Sequence, residues 1–247
     1  LPLRIRPALR PSAAAPVSYN QLVVLSQFQS TEDSMAKLYF RYGAMGSSKT
    51  ANAIMVWYNY KERCKSALLI KPGVDTRDGT YSIRSRSGLV AECILFDQID
   101  WDAVRAHKFD CLIIDEAQFL SPDQVDLLIP IVDDYNIPVI CYGLKTDFRG
   151  EFFPGSARLL ARADTIEEVK TICWCGKKAT NNARLDGSGG ITKVGEQVVL
   201  GASDKYIGLC RKHWMLGDPG PGLRADDLAK GAMPGVCSAE SEDDETL

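Results

Sequence analysis

The chain has 247 residues, 45% of them hydrophobic, and a formal net charge of −3. That length fits one large domain, or one domain with a small appendage, around a sizeable core. The charge excludes a global positive field that would steer nucleic acid, and no apolar run reaches the ~18–20 residues of a membrane span.

Residues 1–34 read as a disordered extension ahead of Met35. Prolines at 2, 7, 11 and 16 oppose a continuous helix, and no acidic residue precedes Glu32, a bias shared by transit peptides. From residue 37 the pattern sharpens. "KLYFRYG" alternates like a strand and ends at glycine, and residues 50–64 read as a helix. "SALLIKP" and "CILF" are short buried strands, followed by a helix over 99–109. "DCLIIDE" is a near-continuous apolar run of the parallel-sheet kind. Ser121 and Pro122 open a helix over 121–135, "IPVICYGL" is a further buried strand, and 156–164 is helical before a last strand from Thr165. Strands alternating with helices predict a parallel α/β sheet over residues 35–172.

Composition changes at residue 173. Two cysteine clusters, a Gly/Ser/Asp turn and short β-like runs ("EQVVL", "KYIGL") predict a second, smaller domain over 173–214. Residues 215–247, with "GDPGPG" and an acidic end, read as a flexible tail. Of eight cysteines, several lie in apolar runs and read as buried hydrophobes. With no secretory signal, a reducing cytoplasm is the expected setting.

Residues 43–50, "GAMGSSKT", nearly match the phosphate loop G-x-x-x-x-G-K-[ST]. A strand precedes them and a helix follows, so backbone N–H groups at the helix N-terminus can wrap phosphates. Gly43, Lys49 and Thr50 hold their places and Gly46 adds a flexible point, whereas Ser48 stands where glycine is usual. If that position needs φ > 0, serine there costs on the order of 1 kcal/mol or more. Asp115 and Glu116 follow four apolar residues at a strand's C-terminal end, where open α/β sheets bind ligands. Asp115 has the place of a Mg²⁺ ligand, direct or through water, which leaves Glu116 to accept a proton. That proton comes from water in an ATPase and from an acceptor hydroxyl in a kinase, and the two motifs do not separate these cases. Cys173, Cys175, Cys210 and His213 form two close pairs around a long insertion, which suits one structural Cys₃His zinc. Such a zinc clamps the base of the 176–209 loop, a natural lid.

Together these elements resemble the type II, zinc-containing thymidine kinases over roughly residues 37–214. "GAMGSSKT" is similar to the family's phosphate loop, "KPGVDTR" to its P-x-x-D-T-R segment and "DEAQF" to its D-E-x-Q-F. "YGLKTDFRGEFF", "KTICWCGKKAT", "GEQVVLGASDKY" and "CRKH" resemble the stretch after the next strand, the zinc domain and the substrate-covering loop. The resemblance implies a RecA-like phosphate-loop core with a zinc-ribbon lid, and transfer of phosphate from ATP to the 5′-hydroxyl of thymidine. It puts Glu116 in the place of the base and Arg77 near the transferred phosphate. Gly43, Ala44, Met45, Gly46, Ser47, Ser48, Lys49 and Thr50, with Asp115 and Gln118, fall on the ATP and Mg²⁺ side. Phe119, Phe148 and Phe153 match aromatic positions around thymine, and Val199, Gly201 and Tyr206 match lid positions. Core packing is the plain alternative for Phe148, and Asn182 and Gln197 differ from the animal pattern. The resemblance also implies a cytoplasmic homotetramer or homodimer, feedback inhibition by thymidine triphosphate, and neither nucleic-acid nor membrane partners. Two other readings stay open: an ATPase whose zinc ribbon grips nucleic acid, and a homologue impaired at Ser48.

Overall fold

The computed structural model describes residues 35–74, 79–186, 189–197 and 206–221. The expected N-terminal extension, residues 222–247 of the expected tail, and the site candidates Arg77, Val199 and Gly201 lie outside the described residues.

Chain order from residue 36 begins with β1 (Leu38–Tyr42), α1 (Lys49–Glu62) and β2 (Ala67–Lys71). A hairpin follows, β3 (Ser82–Arg84) and β4 (Val90–Glu92), then the two-residue β5 (Ile94–Leu95) and α2 (Trp101–Arg105). Next come β6 (Cys111–Ile114), α3 (Pro122–Asp126), α4 (Leu128–Asp133), β7 (Val139–Gly143), α5 (Pro154–Arg162) and β8 (Thr165–Glu168). The smaller part holds β9 (Asn181–Leu185), β10 (Ile191–Thr192), β11 (Tyr206–Leu209) and α6 (Arg211–Leu216).

Six strands form one sheet in the order β5-β2-β6-β7-β1-β8, and every neighbouring pair is parallel. The central strands are apolar because both faces are covered: all four residues of β6 and all five of β7 are buried. One face packs Phe40, Ile70, Leu112 and Ile114 against Val125, Leu128 and Leu159. The other packs Leu69, Ile113 and Tyr142 against Ala53 and Ile54 of α1.

Pairing β1 with β7 and β7 with β6 leaves one strand between the two that carry the phosphate loop and the Asp115–Glu116 pair. Both motifs therefore emerge from C-terminal strand ends on the same edge, with Leu144 leaving β7 between them. β9 lies between β10 and β11 in a separate antiparallel sheet.

Several expected boundaries shift. The helix over 121–135 is two helices broken at Leu127. Pro130 explains the break: it has no N–H to donate, and its ring crowds the carbonyl of Asp126 four residues back. Ser121 does cap α3, in a reciprocal capping box with Gln124. The helix over 99–109 is confined to Trp101–Arg105, and α5 begins at Pro154, two residues earlier than read. Glu196 and Gln197, the start of the β-like run "EQVVL", are not in a strand. The β3–β4 hairpin and α6 were not legible in the pattern. α6 extends to Leu216, and beyond it Trp174 Nε1 donates to the Asp218 carbonyl at 3.4 Å.

Candidate active site

A cavity of about 260 Å³ opens at the C-terminal edge of the parallel sheet. Residues 45–50 form one wall, Asp115, Glu116 and Leu144 the floor, and residues 83–87 of the hairpin the opposite wall. The predicted phosphate loop and the acidic pair thus meet in one space.

The loop turns through two left-handed residues, Gly46 at φ 78° and Ser48 at φ 60°, ψ 26°. Ser48 does occupy the conformation that favours glycine, and it does so immediately before α1 begins at Lys49. The loop is intact around it. Lys49 Nζ donates to Gly43 O at 3.1 Å, Ala44 O at 3.0 Å and Ser47 Oγ at 3.2 Å. The ammonium is buried against the loop's own backbone.

Asp115 is 3% exposed. Burial, then the neighbouring Glu116 carboxylate, push its pKa up to about 7, while the hydroxyl of Thr50, a backbone hydrogen bond and the Lys49 charge pull the other way. A carboxylate paired with a threonine hydroxyl is a hard-oxygen donor set of the kind Mg²⁺ takes.

Glu116 has a left-handed backbone, φ 52° and ψ 36°. This strain turns the chain out of β6 and is of the kind found at functional sites. Gln118, 1% exposed, fixes the carboxylate. Its Nε2 donates to Glu116 Oε2 at 2.5 Å, and its Oε1 accepts the Leu144 N–H at 3.0 Å. Gly143 makes room for this bridge, because a Cβ there would lie 2.8 Å from Gln118 Oε1. Gln118 thus ties Glu116 to the end of β7.

The aromatic candidates form two pairs. Phe119 and Phe153 meet edge-on, centroids 5.7 Å apart. Phe148 and Tyr206 meet edge-on at 6.3 Å. Phe148 is 1% exposed, as core packing requires, and the Arg184 guanidinium lies 4.0 Å from its ring centroid. Arg184 also donates to Val194 O at 2.5 Å and Glu196 O at 3.1 Å, binding the later part of the insertion to β9. Residue type alone gave no signal for Arg184, which reads as an ordinary strand cation.

Asn182 is another residue whose role the sequence leaves open. Its Oδ1 accepts the Met45 N–H at 2.8 Å and its Nδ2 donates to Thr146 O at 2.6 Å. β9 is thereby joined to the phosphate loop and to the turn leading to Phe148. The Gly208 partner of Asn182 in β11 lies so near the loop that a Cβ would be 2.7 Å from Met45 O.

Cys173, Cys175, Cys210 and His213 converge, their ligand atoms all within 4.8 Å of one another. His213 Nδ1 is 3.4 Å from both Cys173 Sγ and Cys210 Sγ, and Cys175 Sγ is 3.9 Å from Cys210 Sγ. A tetrahedral Zn²⁺ with Zn–S about 2.3 Å and Zn–N about 2.0–2.1 Å sets ligand atoms roughly 3.5–3.8 Å apart. The four residues fit that ion. Trp174 stacks on the His213 ring at 4.2 Å, fixing its plane, and a backbone hydrogen bond at His213 lowers the Cys210 thiol pKa toward the thiolate a metal needs. Trp214, next in α6, donates to both Asn182 O at 2.9 Å and Phe148 O at 3.1 Å. The cysteine cluster is therefore anchored to the same junction as the phosphate loop.

The profile of the thymidine kinase family matches residues 36–214. Among curated relatives, a thymidine kinase of Ruegeria pomeroyi is 46% identical over 194 residues, covering 75% of this chain and 98% of its own. Those of Legionella pneumophila (strain Lens) and Idiomarina loihiensis are 47% and 46% identical, over 75% and 73% of this chain and 92% and 96% of theirs. Among solved structures, a DNA replication initiation factor aligns at TM-score 0.33 and 15% identity, over 60% of this chain and 45% of that one. On the strength of the profile and these relatives, the chain belongs to the thymidine kinase family.

Proposed function

We propose that the chain transfers the γ-phosphoryl group of ATP to the 5′-hydroxyl of thymidine, and to that of deoxyuridine, yielding ADP and the nucleoside 5′-monophosphate. The observation that carries this reading is the convergence of Lys49, Thr50, Asp115 and Glu116 on one cavity at the sheet edge. Family membership selects the nucleoside hydroxyl, over water, as the acceptor.

Residues 43–50 hold the triphosphate through backbone N–H groups at the N-terminus of α1, with Lys49 turning its ammonium from loop carbonyls to phosphate oxygen. Thr50 and Asp115 hold Mg²⁺, which when bound neutralises phosphate charge. Glu116, aimed by Gln118, accepts the proton of the 5′-hydroxyl as that oxygen forms its bond to the γ-phosphorus. The bond from γ-phosphorus to the β,γ-bridging oxygen breaks, and ADP leaves with that electron pair. Arg77 stabilises charge on the transferred group, as the resemblance implies. Phe119, Phe148, Phe153 and Tyr206, with Val199 and Gly201, shape the nucleoside side. Here Phe148 acts from beneath as packing, in keeping with its burial.

Residues 173–214 form the lid domain on a core of 35–172. Cys173, Cys175, Cys210 and His213 hold a structural Zn²⁺, which when bound closes the base of the insertion. A kinase has to exclude water at the moment of transfer. The Asn182 and Trp214 contacts supply the rigid base from which a lid can do so.

The homotetramer or homodimer, feedback inhibition by thymidine triphosphate and a cytoplasmic setting extend the proposal on the family resemblance. Among the described residues no helix is long and apolar enough to cross a membrane. The test is nucleoside-dependent ADP release: with ATP and Mg²⁺, thymidine should stimulate it strongly. Release that ignores thymidine, or salt-sensitive DNA binding that stimulates it, would favour the nucleic-acid ATPase instead.

A further inference from the structure

The hairpin wall of the cavity has no part in the mechanism above. Ile83 of β3 and Ser85 just past it are buried, 2% and 5% exposed, whereas Arg84 at the end of β3 and Arg86 in the turn are exposed. The turn between β3 and β4 is closely tied. Ser85 N–H donates to Leu89 O at 2.8 Å, Gly88 N–H to Ser85 O at 3.0 Å, and Leu89 N–H to Ser85 Oγ at 3.0 Å. The base of the hairpin is held by Lys71, fully buried at the end of β2, whose Nζ donates to Ser82 O at 2.9 Å and Gly79 O at 2.5 Å. So the hairpin is a braced arm.

Its tip reaches over the phosphate loop. Arg86 Nη1 lies 4.0 Å from where a Cβ on Gly46 would stand, and Arg86 Nη2 lies 3.5 Å from the Tyr206 carbonyl oxygen at the start of β11. Charge makes this position consequential. Asp115 and Glu116 line the cavity with Lys49, Arg84 and Arg86, so the lining carries more cationic than acidic side chains. A polyanion requires such a balance. A guanidinium meets phosphate oxygens through paired N–H groups, and its five N–H donors let it keep the Tyr206 carbonyl while doing so.

We propose that Arg86 is a further phosphate-binding cation of the ATP site, beside Lys49 and Arg77, contacting the terminal phosphates from the hairpin and tying β11 to the filled site. The inference rests on the ATP-site reading above and adds a residue to it. It explains the bracing, since a cation that must meet phosphate at a fixed point gains from a fixed support.

The experiment is calorimetric titration of wild type, Arg86→Gln and Arg86→Lys with AMP, ADP and ATP in Mg²⁺, with thermal unfolding as the control for folding. Arg86→Gln should weaken ATP roughly 10- to 100-fold and change AMP by less than about 2-fold, flattening the preference for the triphosphate. Arg86→Lys, a point charge without the paired donors, should fall between. Equal weakening of AMP and ATP would make Arg86 merely structural, and unchanged ATP binding would remove it from the site; either result overturns the inference. A wild-type protein that binds no ATP would overturn the ATP-site reading itself, which separates the two failures.

Discussion

Asn182 Oδ1 accepts the backbone N–H of Met45 at 2.8 Å, so a strand of the small sheet and the phosphate loop share a hydrogen bond. The other end of the same carboxamide donates to Thr146 O at 2.6 Å, and Asn182 is 4% exposed. A buried group with both ends used is costly to truncate, because each orphaned partner loses about 1–3 kcal/mol. Asn182→Val should therefore lower the melting temperature and raise KM for both ATP and thymidine. Asn182→Asp, which keeps the acceptor for Met45 but not the donor to Thr146, should recover the ATP term more than the thymidine term. Steady-state kinetics on the two variants check this; equal KM values in wild type and Asn182→Val would show that the junction does not matter to binding.

Ser48 gives a second prediction. Its left-handed backbone, φ 60°, lacks the compensation glycine brings, a difference on the order of 1 kcal/mol. Ser48→Gly should raise the melting temperature by about 2–4 °C and leave ATP affinity equal or tighter. Ser48→Val, with a branched Cβ, should do the reverse. Differential scanning calorimetry with ATP titration decides. If Ser48→Gly alone conferred ATP binding, the chain would instead be a homologue disabled at this position.

Glu116→Gln keeps the size of the side chain and removes the base. Turnover should fall about 10²- to 10⁴-fold while ATP and thymidine still bind, measured by calorimetry beside the rate. A near-wild-type rate would reassign the base.

Metal analysis of the native protein should find about one zinc per chain, lost in Cys210→Ala along with much of the thermal stability. Trp214 links α6 to Phe148 and Asn182, so the loss should also raise KM for thymidine. Native protein free of zinc would remove the clamp at the base of the insertion.

Periodicity made the parallel core legible because β6 and β7, buried on both faces, are unbroken apolar runs. Linked motifs at strand ends made Lys49, Asp115 and Glu116 legible. Ser48 was readable as a question, and its φ of 60° answers that question. The hairpin was missed because β3 and β4 are three residues each with arginines and serines at the turn, too short and polar for alternation to register. The break in the 121–135 helix was readable in principle, since Pro130 stands inside the apolar pattern. The resemblance puts Gln118 on the cofactor side, and its hydrogen bonds to Glu116 and Leu144 are contacts that the sequence did not signal. Asn182 and Arg184 carry their weight through tertiary hydrogen bonds that no local pattern encodes.

The most direct test of the central claim is the product balance with ATP, Mg²⁺ and thymidine. Thymidine 5′-monophosphate and ADP should form one for one, with negligible ADP when thymidine is left out. ADP formed without thymidine monophosphate, at a rate that thymidine does not change, would contradict the account.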